Sequence, residues 1–248
     1  MRGSGALDGA LGGGDGVTRE AVVYVHGLWS SRADSLLLRR RIAHALGCEV
    51  WLFSYASVSS SMEEVTERLR RFVAERVACA AGDPPARLHW VGHSLGGLVI
   101  YRFFERFPVE LPGRVVFLGT PAVSCRAAQG LARLTWMAPF VGRCVREELL
   151  VQRERRWMSP HELGIIAGTR RLGLGHLVAR FDDDNDGTIA VSETRLPGAA
   201  DFISVPASHM GLLVSAIVAR QTAGFLRDGH FSPSPRLSAP PFSNARNL

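Results

Sequence analysis

Residues 88–97 of the 248-residue chain read LHWVGHSLGG. Residues 88–91 form a short, mostly apolar run of the kind found in buried strands, and residues 95–107 have the apolar pattern of a helix. Between them Gly92 and Gly96 flank Ser94 in the pattern G-x-S-x-G. A strand-to-helix turn this sharp leaves no room for side chains beside the serine. The stretch therefore predicts a strand, a tight turn and a helix.

The same turn predicts a chemical role for Ser94. A serine in this position has strained backbone angles and an exposed hydroxyl above the N-terminus of the following helix. That helix end favours negative charge as it develops on a substrate. The five-residue pattern alone also occurs by chance in glycine-rich turns. The strand before it and the helix after it favour a nucleophilic serine.

Apolar runs alternate with helical patterns along the rest of the chain. We predict strands over residues 21–25, 48–55, 88–91, 114–118, 163–167 and 200–205, and helices over 33–46, 62–80, 95–107 and 210–226. A capping box of Ser60 and Glu63 is expected to open the second helix. This alternation predicts an α/β fold with right-handed βαβ units, in which a mostly parallel sheet of about six strands carries helices on both faces.

Three segments lack this alternation of strand and helix patterns. Residues 1–18 are glycine-rich and residues 231–248 contain several prolines, so we expect both to be disordered around a single domain over residues 19–230. Residues 122–160 form a helical insertion between two strands. It is interpreted either as an apolar cap or lid, or as an amphipathic helix that packs on the sheet.

Composition argues against several classes of protein. The net charge is +6 and all 29 basic residues are arginine, but they alternate with glutamates, as on solvated helix faces, which argues against nucleic-acid binding. No stretch approaches the ~18 apolar residues of a membrane span, and no signal peptide is evident. The four cysteines lack the spacing of a metal site or a disulfide framework. We therefore expect reduced thiols and a cytoplasmic protein.

The first predicted strand ends in HGLW, residues 26–29, about seventy residues before the serine. Together with GHSLGG, this loop resembles the small bacterial lipases and esterases of the α/β-hydrolase superfamily. The resemblance implies an α/β-hydrolase fold and an oxyanion hole formed by the N–H groups of Leu28 and Leu95. It also implies a structural role for His26. His93 is expected to point away from the reacting centre.

The family order of nucleophile, acid and base places the base late in the chain. Of the eight histidines, His209 follows the last predicted strand and directly precedes a helix. The run HMGLL, residues 209–213, resembles the histidine loop of the small bacterial lipases. His209 is therefore predicted to be the base.

The candidates for the acid that orients His209 lie in the run DDDNDG, residues 182–187. Asp186 and Gly187 resemble the acid turn of related esterases, which favours Asp186. The same residues fit a calcium loop, in which Asp182, Asp184, Asp186 and Glu193 would be the ligands. Against calcium, only one such loop is present and Pro197 and Gly198 prevent the helix that should follow. Both roles are compatible if the remaining aspartates hold an ion.

The predicted reaction is two-step acyl transfer from a carboxylic ester through Ser94, without any cofactor. An apolar acyl ester or a lipid is the expected substrate, since apolar residues are predicted near the serine. The pocket candidates are Trp29, Trp136, Met137 and Phe140. Two alternatives stay open: an acyltransferase or thioesterase with the same triad, and a non-enzymatic calcium-responsive binding protein on a hydrolase scaffold.

Overall fold

All six predicted strands are present, and they form one sheet. The computed structural model describes residues 19–80, 84–122, 129, 142–150, 154–173, 181 and 183–233. The strands are β1 (Glu20–Val25), β2 (Glu49–Phe53), β3 (Arg87–His93), β4 (Val115–Leu118), β5 (Leu163–Gly168) and β6 (Asp201–Val205). Every pairing is parallel, in the spatial order β2-β1-β3-β4-β5-β6. The expectation of a parallel sheet of about six strands is confirmed.

Helices cover both faces of this sheet. The described helices are α1 (Leu36–Leu46), α2 (Met62–Cys79), α3 (Leu95–Arg106), α4 (Arg143–Glu148), α5 (Val191–Thr194) and α6 (Ala216–Asp228), with a 3-10 turn at Gly211–Leu213. In β1, Val23 packs in the core on the α2–α3 side, whereas Tyr24 packs with α1 and α6 on the other. A strand covered on both sides must be apolar throughout, which is why β1 lacks a polar–apolar alternation. None of the described helices has the length and apolar character needed to cross a bilayer.

Two predicted helix boundaries are wrong. Helix α1 begins at Leu36 rather than at residue 33, because the side chain of Asp34 accepts the N–H of Ser31 and residues 32–35 form a turn. The final helix, predicted over 210–226, is divided into the 3-10 turn and α6. Its second part begins afresh after Ser215, whose hydroxyl accepts the N–H of Val218.

The predicted capping box is displaced by one residue. Ser61 caps α2 and Glu64 reaches back to the N–H of Ser61, whereas the sequence pattern pointed to Ser60 and Glu63. Both serine–glutamate pairs satisfy the pattern equally. The N–H of Met62 donates to the carboxylate of Glu147 in α4, and this contact between distant parts of the chain favours the second pair.

The packed domain continues slightly beyond residue 230. Phe231, where the predicted tail begins, is buried and its ring lies 4.9 Å from that of Phe225. Its N–H donates to Asp201, and the N–H of Ser232 donates to Gln221. These contacts fasten the first residues after α6 to the sheet.

A buried ion pair joins the two ends of the helical insertion. The guanidinium of Arg155 donates to the carbonyl of Ala122 (3.0 Å) and to the carboxylate of Glu148 (2.9 Å). Arg102 of α3 donates to the other carboxylate oxygen of Glu148. Residues 123–128, 130–141 and 151–153 of the predicted cap lie outside the described residues. The described ends are thus tied to α3 through charges that are removed from water.

We expect Arg155→Met to destabilise the fold, because it leaves the buried Glu148 carboxylate with one cationic partner instead of two. Breaking a buried pair costs about 3 kcal/mol. The matched control is Glu105→Gln, which removes an exposed partner of Arg102 and should cost less than about 1 kcal/mol. Urea unfolding of both variants measures the difference. Equal midpoints for the two variants would contradict a structural role for the Arg155–Glu148 pair.

Candidate active site

Ser94 occupies a sharp, strained turn between β3 and α3. Its φ of 53° and ψ of −124° lie in a region that side chains rarely adopt, and Trp29 is the other non-glycine residue of the described chain with positive φ. The N–H of Ser94 donates to the carbonyl of Leu118 at 2.9 Å. Strain of this kind persists only where neighbouring contacts enforce it.

The flanking glycines allow this turn to pack. A Cβ on Gly92 would lie 2.5 Å from the Cα of Gly97, and one on Gly96 would overlap the carbonyl oxygen of Val25. The helix after the serine therefore lies directly against β3 and β1. The neighbouring residues are buried, while Ser94 itself remains partly exposed.

Asp186 and His209 form a hydrogen-bonded pair. The Nδ1–H of His209 donates to Oδ2 of Asp186 at 2.6 Å, and the N–H of His209 donates to the backbone carbonyl of Asp186 at 2.8 Å. The other carboxylate oxygen accepts the N–H groups of Thr188 and Ile189. These donors compensate the burial of the carboxylate. With Nδ1 used as a donor, Nε2 of His209 carries the free lone pair.

The end of β4 connects the Asp186–His209 pair with Ser94. Leu118 accepts the N–H of Ser94, and the next residue, Gly119, packs against the pair. A Cβ on Gly119 would lie 3.1 Å from Oδ2 of Asp186 and 3.2 Å from Nδ1 of His209. The ends of β3 and β4 thus meet the loops after β5 and β6 at the carboxyl edge of the sheet. The structure brings the three predicted residues to this one edge.

His93 lies against His209, although it was expected to point away from the reacting centre. Its Nε2–H donates to the backbone carbonyl of His209 at 3.1 Å, and the two ring centroids are 4.8 Å apart. Burial, together with the neighbouring His209, lowers the pKa of His93 to about 3. A neutral His93 therefore supports the backbone of His209. Because His93 and His209 are 116 positions apart in the sequence, no local sequence pattern predicts their contact.

The loop after β1 packs directly behind the serine. A Cβ on Gly27 would lie 2.9 Å from the Cβ of Ser94. Nδ1–H of His26 donates to the carbonyl of Gly27, while Nε2 accepts the N–H of Tyr55. Burial lowers the pKa of His26. Both nitrogens of His26 are used by the backbone, as its predicted structural role requires.

One oxyanion-hole candidate follows Ser94 in the chain, and the other follows Gly27, which packs against Ser94. Leu28 follows the Gly27 contact in the loop after β1, and Leu95 is the first residue of α3. The first N–H groups of a helix have no acceptor within the helix. The N–H of Leu95 is therefore oriented by α3 but not used by its hydrogen-bond ladder.

The pocket candidates are only partly covered by the structure. Trp29 is exposed on the loop after β1, with φ of 55° and its N–H donating to the hydroxyl of Ser57. Trp136, Met137 and Phe140 lie outside the described residues.

The carboxylates of the calcium pattern have separate partners. Glu193 accepts the N–H of Ala190, Asp186 binds His209, and Asp184 lies 3.7 Å from the guanidinium of Arg171. Asp182 is outside the described residues. In the part of the chain that the structure describes, no three histidine, cysteine or acidic side chains come together as metal ligands would.

Comparison with known proteins identifies the family. Residues 22–241 match the family model described as "Alpha/beta hydrolase family". The chain belongs to the alpha/beta hydrolase family. This alpha/beta hydrolase shares its fold with several solved structures, although the sequence identities are low. A search of curated proteins returned no match.

Three solved structures illustrate the similarity. The mature lipase BlEst2 of Bacillus licheniformis is 17% identical with a TM-score of 0.59, and the match covers 84% of this chain and 91% of that one. The phospholipase PlaB of Legionella pneumophila, in complex with thio-NAD, is 16% identical with a TM-score of 0.61, covering 83% and 55%. The type II thioesterase BorB from the borrelidin biosynthetic cluster is 15% identical with a TM-score of 0.56, covering 85% and 92%. At these identities the likeness shows the α/β-hydrolase fold.

The buried His93 should make the fold sensitive to acid. Its folded pKa of about 3 lies below the usual value of 6.5, so between these pH values the unfolded chain binds the extra proton. The free energy of unfolding should therefore fall as pH decreases below about 6.5, by up to about 1.4 kcal/mol per pH unit from this group. His93→Gln removes the titrating ring, and its unfolding free energy should depend less steeply on pH between 7 and 5. Urea unfolding across this range tests the prediction, and an identical slope in both proteins would contradict it.

Proposed function

We propose that this alpha/beta hydrolase is a serine esterase that cleaves carboxylic esters of apolar acids or alcohols, including lipids. Ser94 is the nucleophile, His209 the base and Asp186 the acid that orients it. The observation that carries the proposal is the 2.6 Å hydrogen bond between His209 and Asp186, at the sheet edge where the strained Ser94 is located. A histidine held in this tautomer has Nε2 available to accept the proton of a serine hydroxyl.

The proposed reaction has two steps. The Oγ of Ser94 attacks the ester carbonyl while its proton passes to Nε2 of His209, and the resulting oxyanion accepts hydrogen bonds from the N–H groups of Leu28 and Leu95. The imidazolium returns the proton to the departing alcohol, which leaves an acyl-enzyme. Water then attacks the acyl carbon, again through His209, and releases the carboxylic acid. These steps require no cofactor or metal.

The buried carboxylate of Asp186 has two tasks in this reaction. It keeps the Nδ1–H tautomer of His209, and it stabilises the imidazolium that forms when the histidine takes the proton. Its second oxygen is held by the N–H groups of Thr188 and Ile189. The carboxylate therefore does not need to reorganise during the reaction.

A thioesterase or acyltransferase is the second candidate. Its support is the fold similarity to the type II thioesterase BorB, with a TM-score of 0.56. The same acyl-enzyme serves all three reactions, which differ in the leaving group or in the acceptor. The calcium-responsive alternative is less well supported, since the described carboxylates of its loop have other partners.

We also propose a cytoplasmic location. The cysteines of the described residues, Cys48, Cys79 and Cys144, are free thiols. Free thiols are typical of a reducing compartment.

Three variants test the triad. Ser94→Ala should abolish hydrolysis of p-nitrophenyl esters. Asp186→Asn should lower kcat by about 10⁴-fold, because the amide donates to Nδ1 and forces the proton onto Nε2. Asp184→Asn is the matched control and should retain near wild-type activity, since the exposed Asp184 lies beside Arg171 and it is Asp186 that binds His209. Circular dichroism should show the same fold in all three.

The assay uses a series of acyl-chain lengths, followed by product analysis with a competing alcohol and a thioester. Faster turnover of the thioester, or transfer to the alcohol in place of water, would favour the second candidate. A crippled Asp184→Asn with a nearly normal Asp186→Asn would contradict the assignment of the acid.

A further inference from the structure

Exposed apolar side chains are concentrated at one place on the surface. Eight large apolar residues are exposed in the described chain, and five of them lie in the first turn of α1 or around the start of α6. We call these five the apolar rim: Leu36, Leu37, Met210, Val214 and Ile217. Their exposed fractions range from 39% to 54%. Scattered apolar residues need no explanation, but a contiguous group marks an interaction surface.

The two parts of the apolar rim are adjacent because α1 and α6 pack together. The guanidinium of Arg41 donates to the carbonyl of Val214 at 2.6 Å. Leu37 lies one helical turn before Arg41 on the same face of α1. Behind the rim, Leu38 of α1 and Val218 of α6 share one buried core.

The apolar rim borders the candidate active site. Met210 directly follows His209, and α1 follows the loop that packs against Ser94 through Gly27. Both helices begin at the carboxyl edge of the sheet and run away from it, because each follows a parallel strand. Their first turns are therefore the parts nearest to the serine.

Arginines follow the apolar residues one turn farther from this edge. Arg40 and Arg41 come four residues after Leu36 and Leu37, and Arg220 comes three residues after Ile217. Neither helix has an acidic residue in its first turn. Asp34, just before α1, accepts the N–H of Ser31, and Asp228 is at the far end of α6.

The opposite face of the molecule has a different charge pattern. On α2, Glu63 and Glu67 pair with Arg106 and Arg70. Charges there are balanced by neighbours of opposite sign.

This order of residues matches the layers of a membrane surface. One helical turn is about 5.4 Å, and an amphipathic surface helix enters the boundary of headgroups and acyl chains by about 5–10 Å. With the apolar rim at acyl depth, the guanidinium groups one turn behind would lie among the lipid phosphates. A protein partner of complementary charge would not require apolar and basic residues in such successive layers.

We propose that the apolar rim docks this protein on an anionic lipid surface, with the exposed Arg40 and Arg220 at the phosphates. The carboxyl edge of the sheet, where Ser94 lies, then faces the lipid, so the ester substrate comes from the membrane. The identity of the substrate rests on the proposed esterase function, whereas docking does not.

Flotation with lipid vesicles tests the docking. Vesicles of phosphatidylcholine with about a third phosphatidylglycerol should bind the protein more tightly than pure phosphatidylcholine, and salt should weaken the binding. Leu37→Ser with Val214→Ser should abolish most of the binding, and each of Arg40→Gln and Arg220→Gln should weaken it about fivefold. Met158→Ser is the matched control, since this side chain is 80% exposed and precedes β5, toward the edge of the sheet opposite the rim. The control should bind as wild type does.

Several results would overturn the proposal. These are equal binding to neutral and anionic vesicles, equal loss in the rim and control variants, or a wild-type dimer that the rim variant dissociates in sedimentation analysis. The last result would identify the rim as a protein interface. Retained binding by Ser94→Ala is expected, because the hydroxyl is not part of the rim.

Hydrolysis of soluble and of vesicle-embedded esters separates the docking proposal from the proposed esterase function. The Leu37→Ser, Val214→Ser variant should hydrolyse a short soluble ester as wild type does, yet lose hydrolysis of a vesicle-embedded ester. Vesicle binding without any ester hydrolysis would reject the esterase and leave docking standing. Soluble-ester hydrolysis without vesicle binding would reject docking alone.

Discussion

The hydrogen bond between Asp186 and His209 is the contact on which the candidate site depends. It joins two loops that follow β5 and β6, and both the side chains (2.6 Å) and the backbones (2.8 Å) take part. Because Nδ1 is committed to the carboxylate, the lone pair of the ring is on Nε2. Two neighbours restrict the position of the His209 ring. His93 binds the backbone carbonyl of His209, and Gly119 closely approaches the side chains of both Asp186 and His209.

The acid turn is also connected to the insertion after β4. The N–H of Ala122 donates to the carbonyl of Glu193 at 2.7 Å, and the carboxylate of Glu193 accepts the N–H of Ala190 within the segment that follows Asp186. Arg155 in turn holds the carbonyl of Ala122. The Asp186 carboxylate and the described ends of the insertion therefore belong to one hydrogen-bonded unit. A substitution that weakens the anchoring of the insertion would therefore act on the candidate site through these hydrogen bonds.

Local patterns predict the sheet and the strand–turn–helix around Ser94, and tertiary contacts decide details that these patterns leave open. The β3–Ser94–α3 turn is recognisable because glycine is needed on both sides of the serine, whereas His209 is predicted as the base from the chain order of the family that the sequence resembles. The capping box was ambiguous because two serine–glutamate pairs fit, and Glu147 of α4 favours the later one by binding the N–H of Met62. The contact of His93 with His209 could not be predicted, because it depends on how the ends of β3 and β6 meet.

Site-mapped labelling with a fluorophosphonate probe is the sharpest test of Ser94 as an activated nucleophile, since the probe reacts with a serine only when a neighbouring base activates it. We expect one adduct, located on Ser94 by peptide mass spectrometry, and labelling at least about a hundredfold slower in Asp186→Asn. An adduct on another serine, or an Asp186→Asn protein that is labelled as fast as wild type, would rule out the proposed triad.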